Sequence, residues 1–140
     1  MTVDVNYLAV LIAAIVSMVL GFLWYSPMVV GKQWMKLKGY TAESLKKEQK
    51  EMSKFYALSF VLALVTAYVL THVMAMAMNF FNYTPLSTGL TSAFWMWLGF
   101  VMPVQASAQI FGEKKWGLLV IDSVYQLVSL LGMGAVLGLL

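Results

Sequence analysis

The chain has 140 residues, of which 61% are hydrophobic and only 11% are charged, and its net charge is +3. A soluble domain of this length could not bury so much apolar surface, so the composition predicts that lipid surrounds most of the chain. All nine basic residues are lysines and cysteine is absent, which excludes guanidinium recognition of phosphates, disulfides, thiolate metal sites and thiol nucleophiles. We expect the lipid bilayer as a partner and no nucleic acid.

Four segments contain the roughly 20 mostly apolar residues that a helix needs to cross about 30 Å of hydrocarbon. They are about 7–28, 55–78, 86–111 and 116–140. The first has no basic segment before it and no convincing cleavage site after it, which favours a retained helix over a signal peptide. The sequence therefore predicts an all-α, polytopic membrane bundle of four transmembrane helices that forms one domain over 1–140.

The lysines predict the orientation of these helices. Seven of them lie in the connection 29–54 and two at 114–115, whereas the 79–88 connection and both tails carry none. Because positively charged loops stay on the cytoplasmic side, we expect both lysine-bearing loops inside and both termini outside. The expected location is the cell membrane, as a multi-pass protein of the bacterial inner membrane.

The 29–54 connection contains its own helix signals. Gly39 is expected to end one helix, and Thr41 is expected to cap the next. We expect the second span to extend into the cytoplasm as one long helix that begins near Ala42. Its lysines would lie near anionic head groups, either as a lipid-binding surface or as an ordinary solvated helix end.

Small residues at four-residue spacing occur in the first and last spans. They are Ala9, Ala13, Ser17 and Gly21 in the first, and Gly134 and Gly138 in the last. Inside a bilayer, small residues allow close approach of helix backbones, so both stripes are predicted packing surfaces. They could join helices of one chain or separate subunits, which leaves a homo-oligomer or contact with other membrane subunits as an expectation.

Polar side chains at membrane depth are the default functional candidates, because an unpaired polar group in hydrocarbon costs several kcal/mol. The predicted polar cluster consists of Gln105, Gln109, Asp122 and Gln126. A tight hairpin of the last two spans would bring Gln105 level with Asp122. The cluster could line a proton or cation path, or it could hold helices together through hydrogen bonds.

Aromatic residues mark the predicted membrane–water interfaces. The anchors are Trp24, Tyr25, Pro27, Trp34 and Trp116. Trp and Tyr settle at head-group level, and Pro27 disfavours helix at the residue before it, so 24–27 is interpreted as the boundary of a span rather than as a site. A functional role for this segment is the alternative.

Catalytic signatures are missing from the sequence. It contains no HExxH motif, no nucleophile with a matching base and no pair of carboxylates at catalytic spacing. His72, the sole histidine, is expected to be structural. We therefore expect a protein that is not an enzyme and that has no catalytic residues, no metal and no cofactor.

Several short motifs together resemble a known family. They are Asn6-Tyr7, Trp24-Tyr25-Ser26-Pro27 with Gly31 and Trp34, Trp97-Leu98-Gly99-Phe100-Val101 with Pro103, and Phe111, Trp116, Asp122, Tyr125-Gln126-Leu127, Met133-Gly134 and Gly138. This combination resembles domain of unknown function 1761, a family of uncharacterised bacterial membrane proteins. The resemblance implies a small four-helix membrane protein and brings no established activity, ligand or catalytic residue.

Two functions follow as expectations. The first is a non-catalytic integral membrane protein that self-associates or serves as an accessory or structural subunit of a membrane complex. The alternative is an oligomeric channel or transporter for a small solute or ion, with the predicted polar cluster along its path.

Overall fold

The structure is a computed structural model that describes residues 3–49 and 51–140, and all regular secondary structure in these residues is helical. This confirms the predicted all-α class for the described part of the chain. The helices are α1 (Tyr7–Trp24), α2 (Gly31–Lys38), α3 (Ala42–Gln49), α4 (Met52–Phe80), α5 (Pro85–Met96), α6 (Met102–Ile110) and α7 (Trp116–Leu139).

Three of these helices, α1, α4 and α7, are long and apolar enough to cross a membrane. The third predicted span is divided into α5 and α6 by a π-helical turn at Trp97–Val101. Within the turn, the Met102 N–H donates to the Trp97 carbonyl, five residues back. Pro103 has no N–H and its ring would crowd the carbonyl four residues earlier, so a local widening of the helix relieves this contact.

Short side chains and glycine set the helix ends in the loops. The Thr41 Oγ1 accepts from the Ser44 N–H at 3.2 Å, while the Thr41 N–H donates to the Ser44 Oγ at 2.7 Å, so the predicted cap is present. Gly39 ends α2 with a φ of 75°, a conformation that glycine adopts without steric cost.

The expected single long helix from Ala42 into the second span is wrong. Helix α3 ends at Gln49 and α4 begins at Met52. Between them, Glu51 has φ −107° and ψ 6°, and its N–H donates to the Glu48 carbonyl three residues back, as in a turn. The break separates α3 from α4, so the two are distinct helices.

Helix α7 is the centre of the bundle, because it packs against both α5 and α1, while α4 packs against α1 and α5. The core consists mostly of small and flexible apolar side chains: Val10, Ala13, Ala14, Ala63, Ala67, Leu70, Met74 and Met133. The predicted stripe of α1 faces this core, since Ala9, Ala13 and Ser17 are all buried. The Ser17 and Ser129 hydroxyls share a buried hydrogen bond of 2.6 Å.

The glycines of the predicted stripes lie at helix crossings within the chain. A Cβ on Gly134 would fall on the Gly89 carbonyl, and one on Gly138 would collide with the backbone of Pro85 and Leu86. Gly21 faces the ring of Tyr125. Both stripes therefore pack helices of one chain against each other.

Candidate functional site beside Tyr25 and Asp122

The turn after α1 directs two aromatic side chains toward α7. Pro27 follows the end of the helix, and the Gly31 N–H donates to the Ser26 carbonyl at 2.9 Å, which folds the chain back on itself. Gly31 is buried, and a Cβ there would strike the Tyr25 and Ser26 carbonyls. Only glycine fits this close approach, so the turn is sterically fixed.

Trp24 and Tyr25 both bond to α7. The Trp24 Nε1–H donates to the Ile121 carbonyl at 3.1 Å, and the Tyr25 hydroxyl donates to the Asp122 Oδ1 at 2.6 Å. Their polar atoms therefore bond to α7, and the expectation that these two residues anchor the chain at the membrane interface stays a prediction. The Tyr25–Asp122 hydrogen bond connects residues from opposite ends of the chain.

A row of aromatic rings extends from this hydrogen bond. Tyr25 contacts Tyr125 and Trp34 with ring centroids 5.1 and 5.4 Å apart, and Trp34 contacts Tyr40 at 5.5 Å. The Tyr125 hydroxyl donates to the Ser17 carbonyl at 3.2 Å. These edge-to-face and tilted contacts are favourable ring geometries, so the row forms a stable wall.

The aromatic row is one side of a cavity of about 550 Å³, which we call the aromatic cavity. Most of the lining is aromatic or methionine: Phe22, Tyr25, Trp34, Tyr40, Phe55, Tyr56, Tyr125, Met18, Met35 and Met52, with Gly21, Ser59 and Glu48 completing it. On the wall opposite the row, Phe22 and Tyr56 meet edge to face at 5.0 Å. This volume and chemistry are typical of a site for a small, largely apolar ligand.

Charge is scarce around the aromatic cavity. Glu48 of α3 is the one charged side chain among its described lining residues. Burial, and secondarily the Glu48 carboxylate, raise the pKa of the Tyr40 hydroxyl above its usual value. The Glu48 carboxylate is therefore close enough to Tyr40 to influence its hydroxyl. On the Trp34 ring, the Lys38 ammonium lies 5.5 Å from the centroid.

The structure does not bring the predicted polar cluster together. The Gln109 Oε1 accepts from the Lys115 N–H at 3.0 Å and closes the turn between α6 and α7. The Gln105 Oε1 is buried and has no hydrogen-bond partner among the described residues. Asp122 bonds to Tyr25, and Gln126 lies half-buried one turn further along α7. Among the described residues, no hydrogen bond joins any two of these four side chains.

The expected pairing of Gln105 with Asp122 fails because of helix register. Gly89 crosses α7 at Gly134, and the backbone of Pro85 meets Gly138. If the antiparallel helices keep this register as far as α6, Gln105 lies beside the first turn of α7, which comes before Asp122 in the chain. Asp122 is left facing α1, where Tyr25 supplies its donor.

The remaining predicted residues are dispersed. Trp34 lines the aromatic cavity, whereas Pro27 and Trp116 are exposed. His72 lies on α4, where its Nδ1 is 2.9 Å from the Tyr68 carbonyl and its ring packs on that of Tyr68. Both contacts are made within α4.

A comparison with known protein families identifies the family of this chain. The family model described as "Protein of unknown function (DUF1761)" matches residues 8–138. The chain belongs to this family. The matched range includes the Tyr25–Asp122 hydrogen bond and every residue that lines the aromatic cavity. Searches among curated proteins and among solved structures gave no match. Because DUF1761 is described as a family of unknown function, the function of this protein is inferred from its site.

Proposed function

We propose that this protein is a non-catalytic, four-span membrane protein that binds a small, largely apolar molecule in the aromatic cavity. The observation that supports this function is the cavity itself, with a volume of about 550 Å³ and a lining that is mostly aromatic and methionine side chains. Ligand sites of this size characteristically combine an apolar lining with a few placed polar groups. Here the placed groups are Glu48, Ser59 and the tyrosine hydroxyls.

Membrane insertion follows from the apolar helices. Helices α1, α4 and α7 are three spans, and α5 with α6 supplies the fourth, because the two continue into each other through the π-helical turn. The lysines between the first two spans place α2 and α3 in the cytoplasm and both termini outside. The aromatic cavity then lies at the cytoplasmic face of the cell membrane, the bacterial inner membrane, beside anionic head groups.

This orientation predicts a definite labelling pattern. The chain contains no cysteine, so single-cysteine variants need no background removal. In intact cells, a membrane-impermeant maleimide should label Tyr83→Cys, in the outer loop, and leave Lys47→Cys, on α3, unlabelled. Permeabilisation should expose both. If Lys47→Cys is labelled in intact cells and Tyr83→Cys is not, the protein has the opposite orientation in the membrane.

Binding is favoured over conduction by the placement of the polar residues. A path for ions or polar solutes needs a connected row of polar groups. The Gln109 side chain, however, accepts a hydrogen bond from the Lys115 N–H in the turn before α7, and the Asp122 carboxylate accepts one from Tyr25. The channel function therefore has less support than the binding function.

An accessory or self-associating role is the second proposal. The described residues 97–110 include no buried side chain, and Phe100 and Val104 are 71% and 65% exposed. Gly99 has open space where a Cβ would stand. This face accommodates lipid or another membrane subunit equally well.

Blocking the aromatic cavity tests the binding function. Ser59→Trp would place an indole at a lining position of α4, whereas Ser53→Trp, on the same helix, lies outside the lining. Saturable fluorescence of the uncharged probe N-phenyl-1-naphthylamine would be measured with the protein in nanodiscs and with empty nanodiscs. We expect binding at least about tenfold weaker for Ser59→Trp, since a drug-sized ligand must give up most of its contacts, and unchanged for Ser53→Trp. Equal binding by the two variants, with equal melting temperatures, would refute the function.

A further inference from the structure

Two tyrosine hydroxyls of the cavity wall already donate their hydrogens within the protein. The Tyr25 hydroxyl donates to Asp122 at 2.6 Å, and the Tyr125 hydroxyl donates to the Ser17 carbonyl at 3.2 Å. A phenol has a single O–H, so neither group has a hydrogen left for a ligand. These two side chains offer the ligand ring π-electrons and oxygen lone pairs, which attract positive charge.

The charge at the cavity is negative. Glu48 lines it, whereas none of the lysines in the described residues does. Lys38, whose ammonium interacts with the Trp34 ring, lies outside the lining. An anionic ligand would therefore meet the Glu48 carboxylate without a charged donor to offset the repulsion.

Trp34 already shows the interaction that a cationic ligand would use. Its ring attracts the Lys38 ammonium at 5.5 Å, within the distance at which a cation is stabilised by an aromatic face. Tyr40 adjoins Trp34 at 5.5 Å, and Glu48 is near enough to affect the Tyr40 hydroxyl. Two aromatic rings and a carboxylate thus meet at one end of the aromatic cavity.

We infer that the aromatic cavity binds a hydrophobic organic cation, a quaternary ammonium or phosphonium, with its charge beside Trp34, Tyr40 and Glu48. This inference rests on the proposed binding function and specifies its ligand class. The apolar groups of the cation would contact the opposite wall at Phe22, Phe55 and Tyr56. About 550 Å³ is far more than a bare ammonium ion fills, so the ligand carries bulky apolar groups.

Two ions of the same shape and opposite charge test the inference. Equilibrium dialysis of the full chain in maltoside detergent would compare tetraphenylphosphonium with tetraphenylborate. The phosphonium should bind at least about tenfold more tightly, because the π-electrons and the carboxylate favour only the cation. Equal binding, or tighter binding of the borate, would overturn the inference.

Variants then locate the charge recognition. Glu48→Gln should weaken phosphonium binding by about threefold to tenfold, and Trp34→Leu by about tenfold, since each removes one attractive partner of the cation. Glu43→Gln removes the same charge from the same helix, outside the lining, and should leave binding unchanged. If Glu48→Gln and Glu43→Gln behave alike, the cation does not lie at Glu48.

The uncharged probe separates the two proposals. If N-phenyl-1-naphthylamine binds to the wild type and to Glu48→Gln equally while the phosphonium shows no preference over the borate, the cation inference fails and the binding function stands. If neither probe binds, the binding function itself fails. Repeating the phosphonium assay in phosphatidylcholine nanodiscs identifies the source: competition indicates a lipid trimethylammonium group, and unchanged binding indicates a free cation.

Discussion

Gly134→Ala is expected to destabilise the bundle by about 3 kcal/mol, the upper part of the range for overpacked interiors. Gly134 crosses Gly89 so closely that a Cβ on either residue would fall on the other's carbonyl oxygen. A backbone atom cannot turn aside as a flexible side chain can. The added methyl group therefore forces α5 and α7 apart along the central interface of the fold.

The measurement is unfolding of the purified protein in mixed micelles titrated with sodium dodecyl sulfate, followed by circular dichroism. Gly99→Ala is the matched control, because nothing lies within 4 Å of a Cβ built at that position. It should be neutral or slightly stabilising, since alanine is favoured over glycine inside a helix by about 0.5–1 kcal/mol. Similar midpoints for the two variants would mean that α5 and α7 do not cross at Gly134.

Tyr25→Phe is expected to cost about 2 kcal/mol of stability. The substitution keeps the ring contacts with Trp34 and Tyr125 and removes only the hydroxyl that donates to Asp122 at 2.6 Å. A hydrogen bond to a charged acceptor contributes about 1.5–3 kcal/mol, and the half-buried carboxylate would lose its donor. Asp122→Asn should cost less, because the amide oxygen still accepts the Tyr25 hydrogen.

A set of variants in the same unfolding assay separates this pair from general packing. Tyr125→Phe removes a hydroxyl that donates to a neutral carbonyl, so it should cost only about 1 kcal/mol. The double variant Tyr25→Phe with Asp122→Leu should be more stable than Tyr25→Phe alone, because it also removes the carboxylate that has lost its hydrogen-bond donor. If Tyr25→Phe is no more destabilising than Tyr125→Phe, the Tyr25–Asp122 hydrogen bond is not a stabilising contact.

The sequence predicted the helical class and the apolar helices well, for a simple physical reason. In lipid, the backbone N–H and C=O groups of a long apolar run can bond only to each other, which favours a helix. Helices α1 and α7 accordingly begin and end close to their predicted bounds. Composition does not reveal local geometry, however. The π-helical turn before Pro103 and the turn at Glu51 each depend on a few backbone hydrogen bonds that no hydropathy pattern records.

The site was harder to predict, because it depends on contacts between distant parts of the chain. Trp24 and Tyr25 are residue types typical of membrane interfaces. Only the packing of α1 on α7 shows that their polar atoms bond to α7. A useful signal was present on α7, where Asp122 and Tyr125 are three residues apart and so share a helix face. A carboxylate and a phenol on one half-buried helix face indicate a donor on a neighbouring helix.

The aromatic cavity was missed for a related reason. Trp34, Tyr40 and Glu48 lie in the polar connection between the first two spans, where spacing along the sequence does not show which side chains share a cavity. Glu48 belongs to α3, which the turn at Glu51 separates from α4.

Photolabelling would show whether the aromatic cavity is a ligand site. An uncharged aromatic diazirine would be photolysed with the protein in nanodiscs, and the labelled residues would be mapped by peptide mass spectrometry. We expect labels at Met35, Met52 and Tyr56 that an excess of unlabelled probe suppresses. Labels confined to outward-facing residues such as Phe100 and Val104, unaffected by competitor, would contradict the proposed function.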